Sequence, residues 1–410
     1  MDMPGYYEFC SRVRIISGHD ALEKIPEALT RLMAARPMIV TDKGVASAGL
    51  IDTVLKAVGN SLSIAAVADD VPPDSDLVVV NSLARKYLER GCDSIIAVGG
   101  GSVMDTAKGI NVIVTERARD LMEFSGANSL KRPLRPLIAI PTTAGTGSEV
   151  TAVAVIKDHD RHLKMLFVSN FLMPDVSVVD PRMTLTLPPA VTAATGMDAL
   201  SHAVEAYTCL AKNPLSDAHA LAAIKLIGDN LLKVTLDPGD REGRLSMANA
   251  ATLAGIAFGN SMVGMVHTIG HSVGAVCGVP HGVCMAILLP YGLEYNRHKN
   301  SRLTAELLFP LAGPKVYAKT SRERRADEVI ARIRMLNQGL HDATNGRHPR
   351  SFKEISDREG RQMVPKEKLQ AIARAALSDG SVFYNPEDLD YDDFLMVLEA
   401  AWMGEPLSAT

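Results

Sequence analysis

"IIAVGGGSVMDTAKG", residues 95–109, changes its pattern in the middle. The apolar run Ile95–Val98 ends in three glycines, and beyond Ser102 the apolar residues Val103, Met104 and Ala107 recur at helical spacing. A short continuous apolar run stopped by glycine reads as a strand buried on both faces, and the new period reads as a helix. Between them lies a turn suited to phosphate. Glycines let a ligand approach the backbone, and the free amides and dipole of a helix N-terminus favour negative charge. Gly99, Gly100, Gly101 and Ser102 are therefore candidate pyrophosphate contacts, with Asp105 in the first turn assigned to the same set. The spacing is not the G-x-G-x-x-G fingerprint, so a glycine-rich turn followed by a first-turn acid is a competing reading.

The same rhythm surrounds this stretch. Strand-like runs in "MIVTDKG", "LSIAAVADD", "PLIAIPTT" and "PDVSVVDP" alternate with amphipathic stretches such as "AGLIDTVLKAVGN", the pattern of βα units and a parallel sheet. In "LIAIPTTAGTGSEVT" a second strand opens into a loop of hydroxyls and glycines. There Thr142, Thr143, Thr146 and Ser148 offer donors to phosphate or ribose, although a plain hydroxyl-rich turn would look alike. Two such loops at strand ends imply a ligand across the carboxyl edge of the sheet. Asp42, closing "MIVTD", suits a ribose diol and would repel a 2′-phosphate, favouring NAD over NADP; it equally suits a cap on the turn that follows.

Near "LTLPPA" the strands stop. "AHALAAIKLIGDNLLKVTL" and "RLSMANAATLAGIAF" place apolar residues three and four apart, so the sequence predicts an α/β dinucleotide-binding domain over 1–186 and an all-helical domain over 187–410. The charged stretch "AKTSRERRADEVIARIRML" and the tail "LDYDDFLMVLEAAWMG" read as surface helices. Composition narrows the partners. With 43 Lys and Arg against 47 Asp and Glu, a net charge of -4 offers no electropositive excess for nucleic acid or an anionic membrane. No stretch approaches about eighteen unbroken apolar residues, and "MDMPGYYEFC" has no apolar signal core, so a cytoplasmic protein is expected. The five cysteines are scattered without paired spacing, as reduced thiols would be.

The helical half concentrates groups that are costly to bury alone. "TGMDALSHAVEAY" sets Asp198 and His202 four residues apart, on one face of a helix, where they share either an intrahelical hydrogen bond or a metal ion. "GMVHTIGHSVGAVCGVPHG", residues 264–282, holds His267, His271 and His281 among glycines and small apolar residues. If its first part is helical, His267 and His271 share a face, and His281 sits past Pro280 in a turn able to fold back. One carboxylate and two or three imidazoles would complete a metal site.

Taken together, "SGHDAL", "GGGSVMDTAKG", "PTTAGTGSEVT", "DPRMTLTLPP", "GMDALSHAVEAY" and "GMVHTIGHSVGAVCGVPHG" resemble the iron-containing, or group III, metal-dependent alcohol dehydrogenases, in order and along nearly the whole chain. The resemblance implies a Rossmann-like domain followed by a helical one, the architecture shared with dehydroquinate synthase, with the active site in the cleft between them. It implies metal ligands at Asp198, His202, His267 and His281, and a non-ligand histidine near the nicotinamide at His271. Cofactor contacts are implied at Asp42, Gly99 to Ser102, Thr142, Thr143 and, by looser alignment, Lys164. It also suggests a homodimer or larger assembly.

On that basis the expected reaction is NAD-dependent interconversion of alcohols with aldehydes or ketones. A divalent ion on one carboxylate and three neutral imidazoles keeps a net charge of about +1 and would lower an alcohol's pKa. His271 would relay the proton or only orient its neighbours. The N,N,N,O donor set suits Fe(II), Zn(II) or Co(II), and the family implies iron. Phe258, Met262, Val263, Met265 and Val266, with no Lys or Arg between Arg244 and Arg297, predict a pocket for short uncharged primary alcohols; Asn260 and Ser261 are candidates for a diol. A hydroxy-acid dehydrogenase and a dehydroquinate synthase-like lyase are the alternatives, and the lyase should show a Lys and Arg cluster near the metal motifs.

Overall fold

The structure, a computed structural model, describes residues 4–158 and 163–407, with Leu163 and Lys164 described by backbone alone. Two compact units emerge: Cys10–Thr186, and Leu187–Thr410 joined by Met1–Phe9. The break between the units lies between Thr186 and Leu187, and the first nine residues group with the helical half. The Phe9 ring stacks on His219 at 5.6 Å, which ties the start of the chain there.

The α/β unit is built on strands β1 (Arg14–Ser17), β2 (Pro37–Val40), β3 (Ala66–Ala68), β4 (Ser94–Gly99), β5 (Gly126–Ala127), β6 (Leu137–Pro141), β7 (Val153–Asp158), β8 (Leu163–Val168) and β9 (Val176–Val179). Six of them form one sheet in the order β1-β9-β6-β4-β2-β3, with every pairing parallel. Helices α1 (Ile25–Arg31), α2 (Lys43–Ser47), α3 (Leu50–Val58), α4 (Leu77–Glu89) and α5 (Gly101–Glu116) make the crossovers. Alternate strand residues feed opposite faces. Ile95 and Ala97 join the core under α4 and α5, whereas Ile96 and Val98 join the core under α1 and α3. One feature was not foreseen: β7 and β8 pair antiparallel and, with β5, form a second small sheet.

The chain runs outward from β2 to β3 and then returns to β4 on the other side of β2. That reversal is a topological switch point, where open α/β sheets bind ligands beyond their carboxyl ends. Asp42 follows β2 and the glycine run follows β4, so both candidate cofactor elements sit at this reversal.

The helical unit contains α6 (Pro189–Thr208), α7 (Pro214–Leu236), α8 (Arg241–Gly259), α9 (Met265–Cys277), α10 (His281–Tyr295), α11 (Arg297–Glu306), α12 (Leu308–Lys319), α13 (Arg325–Ala343), α14 (Leu369–Ala376) and α15 (Tyr391–Met403). Pro189 opens α6 at a position where a missing N–H costs nothing. From Gly196 to Thr208 every residue of α6 is buried, as expected of a helix enclosed by its neighbours, here α7, α8 and α10. Gly196 permits the closest of these contacts: a Cβ there would fall 2.2 Å from Leu231 Cδ1. None of the five cysteines forms a disulfide, and no helix among the described residues is long and apolar enough to cross a membrane.

Candidate metal centre and nucleotide loops

Asp198 and His202 leave the same face of α6 one turn apart. Helix α9 contributes His267, then stops at Gly278, whose left-handed φ of 70° suits glycine. Pro280 then starts α10, which makes His281 the first helical residue rather than part of a turn. Asp198 Oδ1 is the focus of the group. His281 Nε2 lies 3.3 Å from it, His202 Nδ1 3.7 Å and His267 Nε2 4.0 Å. One ligand atom from each of the four residues falls within 4.8 Å of the others.

At 3.7 Å the Asp198–His202 contact is too long for the intrahelical hydrogen bond that was the competing reading. Asp198 Oδ1, His202 Nδ1 and His267 Nε2 are buried with no hydrogen-bond partner among the described residues. Three convergent polar atoms left unsatisfied in a core would cost about 1–3 kcal/mol each. A divalent cation would satisfy them, and tetrahedral sites with bonds of about 2.1 Å need donors in this range of separations. The donors' charge states also fit. Burial penalises the Asp198 charge, but the imidazoles of His202, His281 and His267 outweigh it and hold the carboxyl well below its usual range. Burial pushes His202 down to about 3 and, with neighbouring imidazoles, His267 well below its normal value. Both rings are thus kept neutral, the form that ligates.

The other sequence candidates of this unit divide. Phe258 stacks on His202 with centroids 4.1 Å apart, so it walls the cluster. His271 is not a member of the four-residue group; its ring stacks on His281 at 5.2 Å, its Nδ1 lies 2.9 Å from Asp379 Oδ2, and its side chain is 44% exposed. Met265 and Val266 are core residues, 0% and 2% exposed. Ser261 is buried and donates to Ala257 O, so its hydroxyl is already engaged. Cys284 is buried against Val279 O.

Two residues escaped the sequence reading. Glu205 accepts from the backbone amides of Val266 and His267 and lies 2.5 Å from His267 Nδ1, while burial raises its pKa to about 7. Its signal was present: Asp198, His202 and Glu205 stand at i, i+4 and i+7 on one helix face. Asp379, distant in sequence, left no such signal.

In the α/β unit the two strand-end loops touch. Thr142 N donates to Gly99 O at 3.1 Å. Gly100 and Gly101 face Thr143 and Thr146 so closely that a Cβ on either would sit 3.3 Å from the threonine. Ser102 Oγ accepts from Asp74 N, and Thr146 Oγ1 accepts from Ser148 N. Asp105 spends its carboxylate inside the protein, on Val155 N and Ser148 Oγ. Asp42 caps α2 through Val45 N at 2.9 Å, the alternative read for it. Lys164 lies on β8 opposite Lys157, and its side chain is outside the described residues. A further lysine was missed. Lys108 is wholly buried and donates to the carbonyls of Ser148, Thr151 and Val153 and to the hydroxyls of Ser148 and Thr151, at 2.8–3.2 Å. Its presence in the apolar helix "VMDTAKGINVIV" was the available signal.

The comparisons with known proteins agree along the chain. Residues 12–181 match the model of the iron-containing alcohol dehydrogenases, and residues 192–402 match the C-terminal model of the Fe-containing alcohol dehydrogenase family. The NAD-dependent methanol dehydrogenase of Bacillus methanolicus is 33% identical over 94% of this chain and 97% of its own length. The 1,3-propanediol dehydrogenase of Klebsiella pneumoniae is also 33% identical, over 94% of this chain and 96% of its own. Among solved structures, a 1,3-propanediol oxidoreductase superposes with a TM-score of 0.90 at 32% identity, covering 97% of this chain and all of the other. The alcohol dehydrogenase of Oenococcus oeni gives 0.89 at 35%, with the same coverage. The chain belongs to the iron-containing alcohol dehydrogenase family, and it is an oxidoreductase.

Proposed function

We propose that the protein is an NAD-dependent, divalent-metal-dependent alcohol dehydrogenase that interconverts short-chain primary alcohols or diols with their aldehydes. The observation that carries this reading is the convergence of Asp198, His202, His267 and His281, the first three of which are buried and each present a polar atom with no hydrogen-bond partner among the described residues. Bound there, a divalent ion, iron or alternatively zinc, supplies a Lewis acid for the alcohol oxygen, and bound NAD supplies a hydride acceptor.

The chain's own residues supply the rest. Asp198, His202 and His267 are buried, and the lower dielectric there strengthens each electrostatic contact among them. Phe258 offers an apolar wall, and no Lys or Arg occurs from 245 to 296 to hold a carboxylate, so uncharged substrates are favoured. In oxidation His271 would accept the alcohol's hydroxyl proton, and in reduction it would return it, with bound NAD as the hydride acceptor or donor. His271 suits this role because its ring is partly open to solvent, where the proton can pass on. In the other unit, the amides of Gly100–Ser102 and the hydroxyls of Thr142, Thr143 and Thr146 seat the pyrophosphate, and Asp42 disfavours a 2′-phosphate. Lys164 completes this proposed cofactor set. Five cysteines outside any disulfide fit a reducing compartment and support a cytoplasmic location, and the family resemblance supports a homo-oligomer.

The decisive experiment strips the metal, reloads Fe(II) or Zn(II), and measures turnover with NAD and NADP on short alcohols, 1,3-diols and 2-hydroxy acids. Metal-dependent, NAD-preferring turnover of alcohols is expected. Turnover without metal, full activity in His267→Ala, or preference for hydroxy acids overturns the reading.

A further inference from the structure

Two carboxylates meet the two histidines of α9 at the same ring atom. Glu205 Oε2 lies 2.5 Å from His267 Nδ1, and Asp379 Oδ2 lies 2.9 Å from His271 Nδ1. A neutral imidazole carries one N–H, and an ionised carboxylate is acceptor-only; Asp379 is held below its usual range, and both oxygens of Glu205 already accept backbone N–H groups, which favours its acceptor form against burial, so each contact draws the hydrogen to Nδ1 and leaves the lone pair on Nε2.

Each carboxylate is itself fixed. Helix α9 begins at Gly264, which has no side chain to cap it; Glu205, arriving from α6, accepts Val266 N on one oxygen at 2.8 Å and His267 N on the other at 3.3 Å. The approach depends on glycine, since a Cβ on Gly264 would lie 3.3 Å from Glu205 Oε1 and 2.9 Å from Asn385 Oδ1. Asp379 uses Oδ1 to accept Ser381 N, which leaves Oδ2 for His271. The same short segment ends in Asn385, whose Oδ1 accepts Met265 N. Residues 379–385 therefore hold α9 at its first turn and again at His271.

We infer that Glu205 and Asp379 are paired positioning residues that lock both imidazoles as the Nδ1–H tautomer, so that His267 offers Nε2 to a metal and His271 offers Nε2 to the alcohol proton. The His267 contact carries this inference for the metal, in line with the unpartnered state of His267 Nε2. The His271 half rests on the proton role proposed above.

The variants differ in what they disturb. Glutamine at 205 has one acceptor oxygen, so its amide NH2 must face either Val266 N–H or the two N–H groups of His267, donor against donor. Asparagine at 379 keeps its oxygen on Ser381 N only by turning NH2 toward His271 Nδ1, which moves the ring hydrogen to Nε2. Exchanging a carboxylate for an amide beside a catalytic histidine is known to act through the tautomer in this way.

The test uses zinc-loaded protein labelled with 15N at histidine, and reads the tautomers directly by NMR. Both His267 and His271 are expected as Nδ1–H, with His271 switching to Nε2–H in Asp379→Asn. Zinc affinity should fall about 10- to 100-fold in Glu205→Gln with unchanged thermal stability of the zinc-loaded fold, and stay within twofold in Asp379→Asn. Asp379→Asn should instead lower kcat by about 10²–10⁴ with KM little changed. An Nε2–H tautomer at either ring of the unmodified protein overturns the inference, as does unaltered zinc affinity in Glu205→Gln; the spectrum decides even if that variant does not fold. Full activity in His271→Ala would sink the proton role alone, because the tautomers and zinc affinity are read without turnover.

Discussion

Phe258 lies on the imidazole of His202, centroids 4.1 Å apart and planes 15° from parallel. A metal-ligand candidate is thus backed by an apolar face, which steadies the ring and limits what fits beside it. Phe258→Ala should cost on the order of 2 kcal/mol, below the range for fully buried phenylalanines, since this ring is only partly buried. It should also raise kcat/KM for branched alcohols relative to ethanol. A substrate panel with a thermal melt checks both, and an unchanged preference would remove Phe258 from the substrate wall.

Gly282 follows His281, and a Cβ there would stand 2.5 Å from Ala194 O, a backbone atom of α6 that cannot swing aside. Gly282→Ala is expected to push the start of α10 away from α6 and carry His281 away from Asp198. Metal affinity should drop at least tenfold although no ligand is touched. Titration of apoprotein with zinc measures it.

Asp198 is the only charged member of the quartet, and its carboxyl stays ionised because three imidazoles surround it. Asp198→Asn keeps the shape and removes the charge. Metal retention after dialysis should be lost, while circular dichroism should show the helices intact.

Lys108 ties the loop after β6 to α5 through five contacts, and burial lowers its pKa to about 8, opposed by Asp105 and Glu149. Lys108→Met leaves those carbonyls without their donor. NAD binding, followed by quenching of intrinsic fluorescence, should weaken by about tenfold or more, and zinc affinity should not change.

His348 gives a pH signature away from the quartet. Burial lowers its pKa from 6.5 to about 4, with Nε2 held by Asn337 Oδ1. Between these values the unfolded chain binds more protons than the folded one, so this residue's contribution to stability is full above about 6.5 and is lost as pH falls toward 4. At about 1.4 kcal/mol per pKa unit, the loss amounts to a few kcal/mol. In His348→Gln the decline of the melting temperature between pH 6.5 and 4 should be shallower; an identical slope would mean the ring does not titrate there.

Much of this was legible in the chain. The glycines after Val98 and the threonines after Pro141 announced two strand ends, because a buried strand followed by residues without bulk has few other uses. The four candidate metal ligands were legible because Asp198, His202 and His267 fall in motifs with helical spacing and His281 follows a proline. What lay hidden came from distance. Asp379 stands 108 residues beyond His271, and only the folded segment 379–385 brings it to the ring. Burial hid other things: Met265 and Val266 read as pocket walls until α9 turned them into the core, and Lys108 read as an ordinary helix residue. The antiparallel β7–β8 pair was missed because the surrounding βα rhythm set a parallel expectation.

The burial of α6 bears on which part of the centre opens more readily. Asp198 and His202 stand on a stretch enclosed from Gly196 to Thr208, where backbone amides are freed only by large-scale opening. His281 directly follows the corner Gly278–Pro280, where Gly278 and Pro280 are exposed and local fluctuation costs less. Amide hydrogens should therefore exchange faster at the α9–α10 corner that leads into His281 than along the stretch of α6 that carries Asp198 and His202.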